Sequence, residues 1–482
     1  MVAGQELYEA IFAPRGMGII GASPHDIATL AHINRKIKDR LYLVNPNYTE
    51  VLGRKCYPKI TDVEAPVDYV SIGVSAAILP TVLEDCIRKG VKVAQIFTAG
   101  YSETGLPEAI AREQELKRQA AGRIRLIGPN CFGVYCPKAG MSIIPEAPEE
   151  EGHIGVLAQS GGVTETFSYF AATKHLRFSK IVSYGNAVDL DGPDFLDFLA
   201  DDVDTHLIAI YIEGTRDGER LHAALSRVAA RKPVIAVKGG MTEQGMRAAA
   251  SHTASLAGSP ALWASVLRQS GAVQVETFEE LMGAVMAFDK CPLPAGPSLA
   301  MITNSGGFSV IQTDQCVKEG IRVPRFSPET VAQLRKWVPL AGTSVGNPLD
   351  AWPIFYNIAP VGNFTDIAKL VGADPAIDAL VVSFDQFRYL RRILGKDVGA
   401  HMERLRELMV TGCVHVRDVI GKPVLTSVSL DPYLRDEEDR RENLLLEEAF
   451  ADAGLPVYAQ LEAAVKALAV LCRYSTRKRQ AF

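Results

Sequence analysis

Short apolar runs alternate with amphipathic stretches from one end of this chain to the other, and that alternation constrains the fold more than any other feature. The runs include residues 17–20, 41–44, 69–74, 93–97, 154–157, 207–212, 233–237, 299–302 and 379–384. Each is about the length of a β-strand and stops at a turn-forming residue such as Gly, Ser or Asn, and most are followed by a helical pattern. Strands that are apolar on both faces must be covered on both faces, which calls for parallel sheets flanked by helices. The pattern therefore predicts an α/β fold.

A chain of 482 residues is too long for one core and suggests roughly three domains. Two breaks divide it. Residues 145–152 read Pro-Glu-Ala-Pro-Glu-Glu-Glu-Gly, and residues 292–297 read Pro-Leu-Pro-Ala-Gly-Pro. Domains are expected at 1–147, 150–291 and 296–475. The second and third share a pattern. Gln159-Ser160-Gly161-Gly162 and Asn304-Ser305-Gly306-Gly307 each follow an apolar run, and later come Gly185-Asn186-Ala187-Val188-Asp189 and Gly346-Asn347-Pro348-Leu349-Asp350. Two signatures in one order suggest two copies of a flavodoxin-like unit.

Bulk composition excludes several classes of function. With 48% hydrophobic and 22% charged residues the chain reads as an ordinary soluble globular protein. A net charge of -5 offers no basic surplus for a nucleic-acid backbone. The eight cysteines include no C-x-x-C pair, as expected of free thiols in a reducing cytoplasm. No apolar run approaches the roughly 20 residues that span a bilayer, and the N-terminus lacks a basic leader and apolar stretch. A cytoplasmic protein without membrane or nucleic-acid partners is expected.

The first domain opens on Gly16-Met17-Gly18-Ile19-Ile20-Gly21, which fits G-x-G-x-x-G but lies within a strand rather than after one. The useful turn is then Gly21-Ala22-Ser23-Pro24, where Gly21 lets backbone approach a phosphate and a helix could begin. The next strand ends in Val44-Asn45-Pro46-Asn47-Tyr48, without the acidic residue that grips a nicotinamide dinucleotide's ribose. A nucleotide with a phosphorylated ribose, such as coenzyme A, is compatible; so is a plain tight turn.

The second domain holds a histidine in a run of small residues, Ser251-His252-Thr253-Ala254-Ser255-Leu256-Ala257-Gly258-Ser259. A nucleophilic imidazole that must meet different partners needs such an unbulky, mobile segment; His252 could equally cap the next helix. Glu213 ends an apolar run and precedes Gly214, where a carboxylate can fix an imidazole's tautomer. Gln159, Ser160, Gly161 and Gly162 form a Gly-rich bend before a helix, suited to cradling a phosphate. No metal site is expected, because His206 with His222 and His401 with His415 stand apart from other ligand types. Neither a G-x-S-x-G elbow nor a G-x-x-x-x-G-K-[ST] loop is present, which leaves no evident ATP site.

Taken together these residues resemble the α subunit of NDP-forming acyl-CoA synthetases, the succinyl-CoA synthetase superfamily, over essentially the whole chain. The resemblance rests on Gly21-Ala22-Ser23-Pro24, residues 44–48, Ile127-Gly128-Pro129-Asn130-Cys131-Phe132-Gly133, residues 155–162, Tyr184-Gly185-Asn186, Tyr211-Ile212-Glu213-Gly214, residues 251–259 and residues 344–350, all in the family's order. It implies a Rossmann-like CoA-binding domain followed by two flavodoxin-like domains. Gly21, Ala22, Ser23 and Pro24 would approach the phosphates of coenzyme A, with further contacts from Asn45, Pro46, Tyr48, Ser75, Thr98 and Ala99. His252 would carry the phosphate, Glu213 would orient it, Ser160, Gly161 and Gly162 would cradle it, and Asn130 would lie near the thioester. A small carboxylic acid would pass through an acyl phosphate. ATP or GTP with Mg would bind an ATP-grasp β subunit, since no such domain is recognisable in this chain.

Three features depart from that family or leave it open. Ala254 stands where many relatives have glycine, and Glu165 disfavours succinate. The missing ATP-grasp domains fit either a separate subunit or a truncated fusion. The competing reading is a non-catalytic CoA-binding scaffold or sensor of the same fold, which would need neither His252 nor Glu213. A lone CoA transferase or lyase and a nicotinamide-dependent oxidoreductase come after it.

Overall fold

Every apolar run named above forms a strand, and the burial explains why. All residues of the strands at 17–20, 69–72, 93–96, 154–158, 178–183, 234–238, 299–303, 379–384 and 424–428 are buried. An uninterrupted aliphatic segment hides both faces only between helix layers. The computed structural model describes residues 4–253, 259–338, 343–355, 363–384, 398–429 and 437–480.

Among the described residues the strands form three sheets. The first holds β1 (Met17–Ile20), β2 (Leu41–Val44), β3 (Glu50–Val51), β4 (Arg54–Tyr57), β5 (Tyr69–Ile72), β6 (Val93–Ile96) and β7 (Arg125–Ile127), in the order β3-β4-β2-β1-β5-β6-β7. Only the β3–β4 pair is antiparallel. Without β3 the order is that of the doubly wound Rossmann sheet, with its switch point between β1 and β5.

The second sheet holds β8 (Gly133–Tyr135), β9 (Ile154–Ala158), β10 (Phe178–Ser183), β11 (Leu207–Ile212), β12 (Val234–Lys238) and β13 (Val273–Val275), in the order β13-β12-β11-β9-β10-β8. The third holds β14 (Leu299–Thr303), β15 (Leu349–Asp350), β16 (Ala379–Phe384), β17 (Val424–Val428) and β18 (Val457–Tyr458), in the order β15-β14-β16-β17-β18. Numbered from their own first parallel strand, both sheets run 2-1-3-4-5, the flavodoxin-like order.

The chain condenses into two compact units, Met1–Thr277 and Phe278–Phe482. The first two sheets lie in the first unit and the third sheet in the second. Two segments do not follow the expected linkers. Strand β8 precedes the break at 145–152 yet pairs antiparallel with β10 in the second sheet. Helix Phe278–Lys290 precedes the break at 292–297 yet packs on helix Leu461–Gln480 of the second unit, where the Tyr458 hydroxyl donates to the Gly283 carbonyl at 2.8 Å. The three-domain division at 1–147, 150–291 and 296–475 stays a proposal.

The two signatures of the suspected repeat fare differently. Both Gly-Gly segments begin a helix directly after their sheet's first parallel strand, Gly161–Lys174 after β9 and Gly306–Lys318 after β14. The Gly-Asn segments are not equivalent: Gly185-Asn186 follows β10, whereas Gly346-Asn347 leads into β15. Asn347 is a structural brace, its Nδ2 donating to Leu299 and Pro324 carbonyls at 2.7 and 2.8 Å.

Two buried polar contacts lock the first unit. Lys180 and Asp202, with side chains 3% and 2% exposed, pair at 2.7 Å, and the Tyr8 hydroxyl donates to the same carboxylate at 2.8 Å. This ties the N-terminal helix Gly4–Phe12 to β10. His32 is buried too: its Nε2 accepts the Ser142 N–H at 3.0 Å, which requires the proton on Nδ1, 2.7 Å from the Ala28 carbonyl oxygen. Burial lowers the His32 pKa to about 4. The unfolded imidazole titrates near its ordinary 6.5, so stability is fully present above that pH and is lost as pH falls toward 4. About 3 kcal/mol is expected to disappear over that window. Denaturant titrations of wild type and His32→Gln at pH 7 and pH 4.5 check it, the variant lacking this part of the pH dependence. No helix among the described residues is long and apolar enough to cross a membrane.

Candidate functional site

The carboxyl ends of the first two sheets share one cavity of about 400 Å³. Gly73, Val74, Phe97, Thr98, Ala99, Asn130, Cys131 and Phe132 line one side of it, and Gln159, Ser160, Gly161, Gly162, Gly185 and Asn186 line the other. Of the residues singled out from sequence, Thr98, Ala99, Asn130, Ser160, Gly161 and Gly162 therefore meet in one place. Among the described residues no lining side chain is Lys, Arg, His, Asp or Glu, so the described wall meets charge with neutral dipoles.

Close main-chain approaches shape the cavity. Asn130 has a φ of +57°, its N–H donates to the Thr98 carbonyl at 3.1 Å, and the Thr98 hydroxyl donates to the Val74 carbonyl at 2.5 Å. Gly185 is the residue that lets the two sheets meet. Its φ is +54°, and a Cβ there would sit 2.2 Å from the Pro129 carbonyl oxygen. On the far wall, Ser160 receives the Thr164 N–H at 3.2 Å on its carbonyl, leaving the Gly161 and Gly162 N–H groups at the open start of helix Gly161–Lys174. That end is positive in the sense of the helix dipole and suits an anion. Cys131 is not a competing nucleophile: burial pushes its thiol up to about 12.

Three further residues shape the site, of which Gln159 was read from sequence only as the first residue of the Gly-rich bend. Gln159 is the polar residue directly before Ser160, and its Oε1 accepts the N–H groups of Glu213 and, at 2.8 Å, Gly214. Asn186, 6% exposed, donates through Nδ2 to Glu103 and Glu113 at 2.6 and 2.9 Å, while its Oδ1 is buried without a partner. Lys238 ends β12 in register with Ile212, is buried, and stands over the Trp263 ring at 4.9 Å. Burial lowers the Lys238 pKa, against the opposing charge of Glu213. Gln159 and Asn186 lay within the quoted motifs, and the signal that marks them is polarity at a strand end. Lys238 carried no motif signal.

Glu213 follows β11 and is 4% exposed, and the Tyr211 hydroxyl donates to its Oε1 at 3.1 Å. Burial first, and then the Glu213 charge, push the Tyr211 phenol up, so that hydroxyl stays protonated. Neither Glu213 nor Tyr211 lines the cavity; Gln159 links it to Glu213 through the main chain. His252 lies on the backbone of helix Glu243–Thr253, while its side chain and residues 254–258 fall outside the described residues.

The other first-domain residues lie along the carboxyl edge of the first sheet, outside the cavity lining. Gly21, with φ +97°, follows β1 and packs so close to the β5 end that a Cβ would sit 2.5 Å from the Gly73 carbonyl oxygen. Asn45 donates to the Ala22 carbonyl at 2.9 Å, joining the ends of β1 and β2. Ser23 and Pro24 are half-buried, while Pro46, Tyr48 and Ser75 are exposed. One expectation changes here. The helix after this turn begins only at Ile27 and is six residues long, and the Asp26 carboxylate already accepts the Thr29 N–H at 2.7 Å. A phosphate at Gly21–Pro24 would rely on the glycine turn rather than on a helix dipole.

Three family models match successive parts of the chain: a CoA binding domain over residues 16–137, a succinyl-CoA ligase like flavodoxin domain over 151–288 and a ligase-CoA domain over 299–439. An acetate–CoA ligase [ADP-forming] of Methanocaldococcus jannaschii is 36% identical over 341 residues, 70% of this chain. The chain spans only 48% of that relative's length. The acetate–CoA ligase [ADP-forming] I subunit alpha of Pyrococcus furiosus is 30% identical, with 98% of each chain covered. Among solved structures, a dinucleotide forming acetyl-coenzyme A synthetase 1 of Ca. Korarchaeum cryptofilum, in complex with phosphate and ADP, superposes with a TM-score of 0.79 at 30% identity, covering 98% of this chain and 97% of that one.

Proposed function

This chain belongs to the family of ADP-forming acyl-CoA synthetases, and we propose that it is the α-type part of such an enzyme, forming acyl-CoA from a small carboxylic acid, coenzyme A and an NTP. The observation that carries the reading is the cavity between the first two sheets, with the edge of a CoA-type domain on one side and an open helix start on the other. The nucleotide, with Mg, binds a separate ATP-grasp β subunit; the alpha-subunit naming of the Pyrococcus relative supports a partner.

In the proposed sequence the His252 imidazole attacks the γ-phosphorus and the NDP leaves. A carboxylate oxygen of the acid then attacks that phosphorus, releasing the imidazole and forming an acyl phosphate. The thiolate of coenzyme A attacks the acyl carbon, the C–O bond breaks, inorganic phosphate leaves with the bonding pair, and the thiol proton passes to solvent. Glu213 holds the imidazole tautomer, the Gly161 and Gly162 N–H groups meet phosphoryl charge, and Asn130 stands beside the reacting carbonyl. Coenzyme A lies along the first-sheet edge, its phosphates near the Gly21 turn, with Asn45, Pro46, Tyr48, Ser75, Thr98 and Ala99 nearby. The described lining holds no cation, which favours a monocarboxylate over a dicarboxylate, whose second charge those residues would not pair. The cytoplasm is the proposed location.

A scaffold would turn nothing over, and the relatives are named as ligases. The test is acetyl-CoA formation from acetyl phosphate and coenzyme A by the chain alone, since that half-reaction needs no NTP. Turnover supports the reading; folded chain that binds coenzyme A and makes no acyl-CoA from any acyl phosphate defeats it.

A further inference from the structure

The geometry of one amide extends that reading. Gln159 follows β9, its N–H donates to the Tyr211 carbonyl at 3.2 Å, and its Oε1 accepts the Glu213 and Gly214 N–H groups. Turning the amide over would aim its NH2 at two N–H donors, so the hydrogen bonds determine which end faces where. Both acceptor positions of Oε1 are occupied. The NH2 has no hydrogen-bond partner among the described residues, although Gln159 is only 5% exposed. With its oxygen end fixed, the NH2 is the end left free to donate to a group in the cavity that Gln159 lines. The residue lines the cavity beside Ser160, Gly161 and Gly162, where the described lining holds no cationic side chain.

We propose that Gln159 is a substrate-contacting residue, whose Nε2 donates to a phosphoryl oxygen of the acyl phosphate and of the departing phosphate at the Gly161–Gly162 helix start. The inference rests on the acyl-CoA synthetase reading. The same side chain spans from this oxygen to the main chain of Glu213, so the phosphate cradle and the carboxylate behind His252 are held in register by one amide. In the half-reaction, negative charge grows on the phosphate as its C–O bond to the acyl carbon breaks. A fixed donor aimed at it stabilises that transition state without reorganising.

Gln159→Glu discriminates, because it keeps an oxygen for the Glu213 and Gly214 N–H groups and replaces only the donor. In the 482-residue chain, kcat/KM for acetyl phosphate with coenzyme A is expected to fall about 100-fold at pH 8. It should recover as pH drops and the new carboxyl gains a proton to donate, while the Kd for coenzyme A stays at the wild-type value. Gln159→Asn, one methylene shorter, should lose activity without any pH recovery. Activity of Gln159→Glu within about threefold of wild type overturns the inference, the expected donor effect being far larger. A pH-independent loss matched by weaker coenzyme A binding overturns it too, and marks a structural role. In both cases the functional reading stands if the wild type is active. Wild type that binds coenzyme A but converts no acyl phosphate overturns the functional reading, and this inference with it.

Discussion

Glu213→Gln is expected to slow phosphoryl transfer to His252 by about 10³–10⁴-fold, the size seen when the carboxylate behind a catalytic imidazole becomes an amide. The carboxylate is buried, takes the Tyr211 hydroxyl at 3.1 Å, and has its own main chain pinned by Gln159. An amide in its place presents a donor on one side, and an imidazole held by it would turn its proton the wrong way. Because the Gln159 contact is to the Glu213 N–H, the substitution leaves the local main chain intact. Single-turnover transfer from acetyl phosphate, measured by rapid quench, reads the effect, and coenzyme A binding should not change. A loss below about tenfold is inconsistent with Glu213 as the orienting carboxylate.

The second large effect falls on stability. Asp202→Ala removes the nearer carboxylate of a lysine that is 3% exposed and leaves its ammonium with Asp204, 3.7 Å away and itself partly exposed. The expected cost is about 3–5 kcal/mol. Burial on its own would raise the Asp202 carboxyl, but Lys180, Thr205 and Tyr8 together hold it below its ordinary range. That contribution is present at neutral pH and is lost as pH falls through the depressed folded-state value. Replacing both members, Lys180→Met with Asp202→Leu, should restore most of the loss, because an apolar pair carries no desolvation cost. Denaturant unfolding of the first unit, followed by tryptophan fluorescence of Trp263, reads both variants. A drop under about 1 kcal/mol for Asp202→Ala would mean that water or another group reaches Lys180.

Sheet membership was legible because it depends on burial. Strands covered on both faces are almost wholly apolar, and the runs at 17–20, 41–44 and 207–212 match β1, β2 and β11 residue for residue. The linkers were legible as breaks in composition, but not as boundaries of packing. Pro and Gly mark where the chain leaves regular structure, whereas β8 and helix Phe278–Lys290 join their sheets by contacts made far along the sequence. The repeat was half legible. Gly-Gly after a buried strand has one structural meaning, a helix start, and recurs in both copies. Gly-Asn has several, and Asn186 and Asn347 use it for different ends.

The site divided along similar lines. That Ser160, Gly161 and Gly162 open a helix on the cavity could be read from their place after a buried strand, because glycine there exposes backbone. The orientation of the Gln159 and Asn186 amides could not, because it is set by which end of each is already bonded. That depends on Gly214 and Glu113, remote in sequence. The turn after Gly21 shows the converse. A strand, a glycine and a helix were all present, yet Asp26 takes the first turn of the helix for itself.

The central claim is that His252 carries phosphate. The most direct measurement is incorporation of labelled phosphate from acetyl phosphate into the chain, comparing wild type with His252→Ala and testing the label for stability in acid and base. The account predicts acid-labile, base-stable label on the wild type and none on the variant, with both proteins binding coenzyme A equally. Label that survives acid, or that persists at wild-type level in His252→Ala, would contradict it.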